Sequence, residues 1–542
     1  MRRLLLTLPT LLLAGAVAAQ QVPVDLAALF PNDLDAYAEG KDLGGAITRL
    51  FGTPLLETLL AIDAEPKKEP DKGELFLQAV LPLLGRRSAV GARYDTGLFR
   101  VLIVTEDNGV DLSEAARRIR TAVPDLPEPK SDTLLDHPAL AFGNAAVLCR
   151  ARDCLIFANS ASLARRAVRM RRDESLAAAK DFAEARTRLG SREIFVFGDL
   201  RTLFAKGRPS LENPDNFLGY LLIAGLADGL LEAERVEAGA DFSSATPSAE
   251  ITLWRAPRAD RGFARAHRPP PCDFSALQNL VAWARIDRDL AAYWPQRLDV
   301  TPAAARPSLA EFSRNLAIFF SGFATADIVG RLTPGFDLVA IASSFEKGRE
   351  PLVRYPAFAL VLGATIDADF ADRLRVAFQT TIGIVNASGG ESGRQPMLQE
   401  RLVIENREAL SARFLRDPKK GFSGAEYNFT PTLWIGGSRI VLASTPDCAR
   451  AVAAVPERAA AGLHGDLLVV GMPELAGVLA DNADTLVDRV ALAGRAERSE
   501  AKARLDAALE KLRRAPGLRI DHVDHDDRQV WRLSAAPPEK AR

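Results

Sequence analysis

Apolar and polar residues alternate in short runs along much of this chain, and successive runs are separated by turn-forming residues. Side chains on a strand point to its two faces in turn, so such alternation predicts half-buried strands. Residues 35–41 predict a short opening strand, followed by a Leu-rich helical stretch. Residues 89–94 and 99–105 predict a hairpin. Residues 112–122 place their apolar side chains at helical spacing, with Asp111 and Ser113 as natural starts. A second hairpin is predicted over 140–148 and 154–158, then helical residues 174–189 and a strand around Phe195. A long helix and a closing hairpin (235–242 with 249–255) complete the series.

The same series then runs again. Ala36-Tyr37-Ala38 has a counterpart in Ala282-Trp283-Ala284, and Phe195-Val196-Phe197-Gly198 in Leu468-Val469-Val470-Gly471. Residues 148–165 align without gaps on 433–450, and Leu253-Trp254-Arg255 matches Val530-Trp531-Arg532. The matched positions are mostly apolar, which predicts two tandem copies of one architecture and says nothing of chemistry. Hairpins with helices between them predict an α+β fold, each copy a mostly antiparallel sheet packed with helices. The copies differ at 174–189, an added helical stretch in the first, and at 386–421, an added segment in the second. Such insertions are where a task specific to one copy is expected. Residues 64–74 and 386–395 read as exposed loops.

The expected boundaries are a signal peptide over 1–19, a first copy over 22–256, a Pro- and Arg-rich linker over 257–274, a second copy over 275–534, and a disordered tail over 535–542. The leader is read from Arg2 and Arg3, the apolar run 4–17 and small residues at 16–19. That run is shorter than the roughly 20 residues of a comfortable membrane span. Residues 217–231 are the nearest thing to a later span; Gly219, Gly225, Asp228 and Gly229 make them a buried helix instead. The mature protein is therefore expected outside the cytoplasm, periplasmic or secreted, without a transmembrane span.

The leader, the opening residues 31–43, and the stretch from Ser175-Leu176 to Phe182 ahead of 195–203 together resemble a family of exported bacterial proteins. That family is defined only by a domain of unknown function, here in two tandem copies. The resemblance implies secretion and supplies no catalytic residues.

At 542 residues and 48% hydrophobic composition the chain can fill two cores. A net charge of −1 removes any global electrostatic case for nucleic acid. Four cysteines in an oxidising compartment raise the prospect of disulfides. Cys149 and Cys154 flank residues 150–153, read as a hairpin turn, and opposed residues on paired strands lie about 4.5–5.5 Å apart, within bridging range. Cys272 and Cys448 are the less certain second pair, with buried free thiols the alternative for all four. The chain lacks the phosphate loop, the dinucleotide turn, His-Glu-x-x-His and Gly-x-Ser-x-Gly. The metal candidates are His522, Asp524, His525 and Asp526, set against a solvated hairpin turn. Arg165, Arg166, Arg169, Arg171 and Arg172 form a basic run that reads as a solvated helix face.

No catalytic constellation and no cofactor is expected. The leading expectation is an exported soluble binding or scaffold protein of the bacterial cell envelope, its partner an envelope protein or ligand. The alternatives are a carrier of a lipid or other apolar ligand, motivated by Phe312, Phe319, Phe320 and Phe323, and a hydrolase with a site assembled from distant loops.

Overall fold

The computed structural model describes residues 24–42, 45, 83–84, 87–95, 98–201, 216–217, 219–221, 231–242, 246–257, 272–320, 322–391, 393–417, 421–457, 465–494 and 497–536. The expected leader, almost all of the linker, and most of 217–231 lie outside these residues. The architecture is α+β with extensive antiparallel sheet. Two compact units are present, one holding the described residues through Gly198, apart from Gly45, and the other holding Gly45 and those from Asp199 onward.

In the first unit the strands are β1 (Ala36–Gly40), β2 (Ser88–Asp95), β3 (Leu98–Glu106), β4 (Lys130–Leu134), β5 (His137–Phe142), β6 (Ala146–Ala151), β7 (Cys154–Ala158) and β8 (Ile194–Asp199). They pair antiparallel in the order β8-β1-β2-β3-β7-β6-β5-β4. One face buries Leu26, Phe30, Tyr37, Leu102, Ile156, Phe182 and Phe195. Helices α2 (Ala161–Arg169) and α3 (Lys180–Leu189) cover that face with Ala164, Ala167, Phe182 and Leu189. The other face takes α1 (Leu112–Ala122), whose Ala115, Ala116 and Ile119 meet Phe142, Leu148 and Leu155. Asp111 caps α1 by accepting from the backbone amides of Ser113 and Glu114, as its sequence position predicts. Gly91 is required for close approach: a Cβ there would lie 2.6 Å from Phe30 Cδ1, and its absence lets that ring lie on the sheet.

The second unit holds β9 (Arg235–Asp241), β10 (Ser248–Trp254), β11 (Leu280–Ile286), β12 (Leu332–Ile341), β13 (Ala357–Ala364), β14 (Met397–Ile404), β15 (Arg407–Phe414), β16 (Thr432–Gly436), β17 (Arg439–Ala443), β18 (Asp466–Val470), β19 (Gly517–Asp524) and β20 (Arg528–Ala536). Their order is β14-β15-β16-β17-β13-β12-β11-β18-β19-β20-β10-β9, every pair antiparallel. One face buries Trp283, Val339, Val361, Trp434, Val441 and Val469. Helix α4 (Ala368–Glu391) covers part of the other with Phe370, Phe378 and Ile382 against Leu410, Leu433 and Ile440. Burying a Leu or Phe of this kind stabilises by about 1.5–3 kcal/mol relative to leaving it in water. No helix among the described residues is long and apolar enough to cross a membrane.

Several expectations need correcting. The single strand read over 140–148 is two, because Gly143 takes φ +56° and turns the chain between β5 and β6. The loop expected at 386–395 is helical through Glu391. Asn386 clamps this end of α4, its side chain donating to the Met397 carbonyl at 3.0 Å and accepting from the Met397 amide at 2.6 Å. The segment 386–421 is no peculiarity of its region, since it carries the hairpin β14–β15 just as 130–142 carries β4–β5. Strand β10 falls in the second unit because it pairs with β20 from Ser248↔Ser534 to Trp254↔Arg528. Ala535 and Ala536, expected in the tail, lie in β20; residues 537–542 and the loop expected at 64–74 lie outside the described residues.

Candidate functional site

Along β1 the side chains of Tyr37, Glu39 and Lys41 share the face that buries the first unit's core, by strand alternation. Tyr37 lies within that core and Glu39 two residues on; Lys41 stands just past the strand end. Register fixes its neighbours. Gly40 pairs with Ile194 and Ser88, and Ser88 with Thr105. The next rung therefore reads Glu193, Lys41, Arg87, Glu106 across β8, β1, β2 and β3. Two backbone bonds hold it, Lys41 N–H to the Glu193 carbonyl at 3.0 Å and Glu106 N–H to the Arg87 carbonyl at 2.9 Å.

A cavity of about 490 Å³ opens over this rung. Its lining carries the cations Lys41, Arg87, Arg186 and Arg192 and the carboxylates Glu39, Glu106 and Glu193, with Leu26, Gly40 and Gly190 between them. Arg186 comes from α3, the stretch singled out in the sequence as particular to the first copy. It bonds Asp25 Oδ1 at 2.6 Å and both Glu39 oxygens at 3.3 Å, and lies 5.8 Å from the centre of the Phe182 ring. Burial is the largest influence on that guanidinium and lowers its proton affinity, but Asp25 and Glu39 outweigh it and the net direction is up. Tyr37 donates to Glu39 Oε2 at 2.6 Å. Burial, reinforced by Glu39, drives the Tyr37 phenol well above its ordinary range. It therefore stays protonated and works as a donor, not as a general base.

Lys41, Arg87 and Glu106 are less committed. Lys41 Nζ donates to the Ser191 carbonyl at 2.5 Å. Arg87 donates to the Val24 carbonyl at 2.9 Å and stands 3.6 Å from Glu106. Lys41 is exposed, while Arg87, Glu106 and Arg192 are half-buried. Such an arrangement can hold an ionised ligand by charge-assisted hydrogen bonds; it contains no nucleophile paired with a base.

In the second unit, charge at the end of β11 and β18 is enclosed. Arg288, fully buried, bonds Asp466 Oδ1 at 2.9 Å and the carbonyls of Asp287 and Leu221. Asp466 Oδ2 meets His522 Nδ1 at 2.9 Å, and the His522 ring packs 4.2 Å from Trp531. Arg285 and Trp283 both donate to buried Asp337, at 3.0 and 2.9 Å.

The residues picked out from the sequence sit elsewhere than at the cleft. His522 points inward to Asp466. Asp524 Oδ1 accepts from Arg255 Nη2 at 2.5 Å, and the same nitrogen donates to the His525 carbonyl at 2.9 Å. The candidate metal ligands His522, Asp524, His525 and Asp526 thus do not converge. Among the described residues no group of three or more His, Cys, Asp or Glu is placed to hold a metal ion. All four cysteines are buried free thiols. The first expected disulfide fails on register: the turn is Arg152-Asp153 alone, both at positive φ, so Cys149 faces Ile156 and Cys154 faces Ala151. Cys272 and Cys448 are core residues of the second unit, and Cys272 Sγ accepts from Arg439 at 3.4 Å. In the basic run, Arg165, Arg166, Arg169, Arg171 and Arg172 are exposed; Arg166 pairs with Asp33 and Arg171 with Asp173. Phe320 lies in the core, with Phe312, Phe319 and Phe323 packed against core clusters.

No protein-family model matches the chain, and no curated protein matches it. Among solved structures, TP0453 in crystal form I is similar at a TM-score of 0.24 and 10% identity, over 44% of this chain and 82% of that one. Its crystal form III gives 0.25 and 9%, over 44% and 84%. Likeness at that level carries no inference about fold or role.

Proposed function

We propose that this chain is an exported, non-enzymatic binding protein of the bacterial cell envelope, and that the charged cleft of its first unit is the ligand site. The observation that carries the reading is the rung Glu193-Lys41-Arg87-Glu106 at the mouth of a cavity of about 490 Å³. Concave sites with a few convergent polar groups are where small ligands are held. The leader at 1–19 supports export, and the family of exported bacterial proteins it resembles supports the same compartment. The strand order β8-β1-β2-β3-β7-β6-β5-β4 has a parallel in β18-β11-β12-β13-β17-β16-β15-β14, which supports reading the chain as two tandem copies. A carrier of apolar ligands has less behind it: the phenylalanines that motivated it are packing residues, and the apolar pocket between Leu83 and Phe157 offers about 20 Å³. A hydrolase has less still, because the lining of the cleft brings together no nucleophile paired with a base.

Native mass spectrometry on protein isolated gently from its own envelope tests the reading, with an Arg87→Ala variant beside it. The expected result is a small adduct on the wild type, absent from the variant and lost on denaturation. An adduct of equal mass and occupancy on both would move the ligand site away from this cleft, and a bare chain in both would count against a retained ligand.

A further inference from the structure

Resting on that reading of the cleft, we infer that its ligand is a zwitterion of the α-amino acid class, a free amino acid or a short peptide end. The order of charge along the rung carries the inference: basic, basic, acidic, from Lys41 through Arg87 to Glu106. A bare anion seated between Lys41 and Arg87 would have the Glu106 carboxylate on its flank, which would repel it. An ammonium group beside the ligand's own carboxylate turns a flanking carboxylate into a partner. Adjacent strands lie about 4.7–4.9 Å apart. Neighbouring positions on the rung are therefore matched by a positive and a negative group carried on adjacent ligand atoms.

The donors are of the right kind. Lys41 Nζ has a carbonyl for its partner, at Ser191, so two of its three protons remain for a ligand. Arg87 is bonded through Nη1 to Val24 and holds Glu106 only loosely, at 3.6 Å. Its outer guanidinium edge can take a carboxylate while Glu106 turns to an ammonium. Deeper in the cavity, Glu39 is already held by Tyr37 and Arg186, so it fixes the wall and does not compete for the ligand. Gly40, Gly190 and Leu26 add no charge to the lining, which leaves room for a ligand side chain beside the charged rung.

The test is isothermal titration calorimetry on the full mature chain. The probes are the proteinogenic amino acids and glycyl dipeptides, the N-acetylated and carboxamide forms of each binder, and acetate and phosphate as plain anions. At least one free amino acid or dipeptide is expected to bind, and blocking either its amine or its acid should weaken it about tenfold or more. Lys41→Gln should lower affinity for every acid-bearing probe. Glu106→Gln should abolish the advantage of the free amine over the N-acetyl form, with unchanged far-UV circular dichroism in both variants. If free and N-acetylated forms bind equally and both depend on Lys41, the cleft takes simple anions: the zwitterion inference fails and the cleft reading stands. If none of the probes binds, both fail.

Discussion

Arg255 leaves the end of β10 and inserts into the turn between β19 and β20, where the Asp- and His-rich motif lies. Its backbone amide donates to the Asp527 carbonyl at 2.9 Å, and its Nη2 reaches Asp524 Oδ1 at 2.5 Å and the His525 carbonyl at 2.9 Å. The two side chains are 4% and 8% exposed, so this is a buried ion pair. Breaking such a pair from one side costs about 3–5 kcal/mol, because the remaining charge is stranded away from water. The Asp524→Ala protein keeps the carbonyl acceptor for Arg255, which puts its expected loss near the lower end, about 3 kcal/mol. Replacing both partners by apolar residues, Arg255→Met with Asp524→Leu, should cost less than either single change. That non-additivity is the signature of the pair.

Hydrogen exchange on peptides covering 248–255 and 517–536 reads the effect where it acts. A loss of about 3 kcal/mol corresponds to roughly a hundredfold fall in protection, at about 1.4 kcal/mol per factor of ten. Protection in Asp524→Ala within a fewfold of wild type would refute the clamp. A wild-type protein that lost protection in EDTA as fully as the variant does would refute it differently, by returning the turn to metal binding.

Three further outcomes follow from the same structure. Gly335 stands at φ +80°, and a Cβ there would lie 2.4 Å from Arg285 Nη2; Gly335→Ala should cost about 2 kcal/mol or more, read as a lowered urea midpoint. Burial raises the Asp337 carboxyl to about 6 in spite of Arg285 and Trp283. A folded value above the unfolded one means its contribution is fully present below about pH 4 and lost as pH rises to about 6. The stability of wild type relative to Asp337→Asn should therefore fall across that window, and a difference that grew with pH would overturn the assignment. Burial pushes the thiols of Cys149, Cys154 and Cys448 up to about 12 and raises Cys272 as well. A thiol reagent should leave the native protein unlabelled and find four equivalents in urea without reductant; fewer would reveal disulfides.

Most elements could be read from the sequence because their burial is one-sided and periodic. Helix α1 was legible to the residue, since Asp111 announces its start and Ala115, Ala116 and Ile119 its buried face. Failures came where tertiary contacts overrode local preference. Residues 386–391 carry two glycines and a serine, yet Asn386 bonds both backbone groups of Met397 and α4 continues. The cleft was only partly legible. Residues 174–189 stand out in the sequence as an added helical stretch, but nothing in a lone Lys41, Arg87 or Glu106 says that they share a rung. Register creates that row, and register depends on pairings between residues as distant as 41 and 193. The reverse error has the same origin. The cluster from Asp521 to Asp527 stood out because its charges are adjacent in sequence, while the arginine that uses it lies 269 residues away.

Two sheet ends in this protein carry charge in different ways, and the contrast bears on function. In the second unit, Arg288, Asp466 and His522 answer one another with bonds of 2.9 Å, and the guanidinium is wholly enclosed. A buried ion of that kind is tolerable only when the chain itself supplies its partners. The end rung of the first unit is built otherwise. Lys41 rests on a carbonyl, and Arg87 stands at 3.6 Å from the nearest oxygen of Glu106, too long for a hydrogen bond. Lys41, Arg87 and Glu106, left in a row within reach of water, gain little from one another, since exposed pairs contribute about 0–1 kcal/mol. The fold therefore has little to lose if those charges turn toward a ligand, and a variant such as Arg87→Ala should keep its stability while losing whatever the cleft binds.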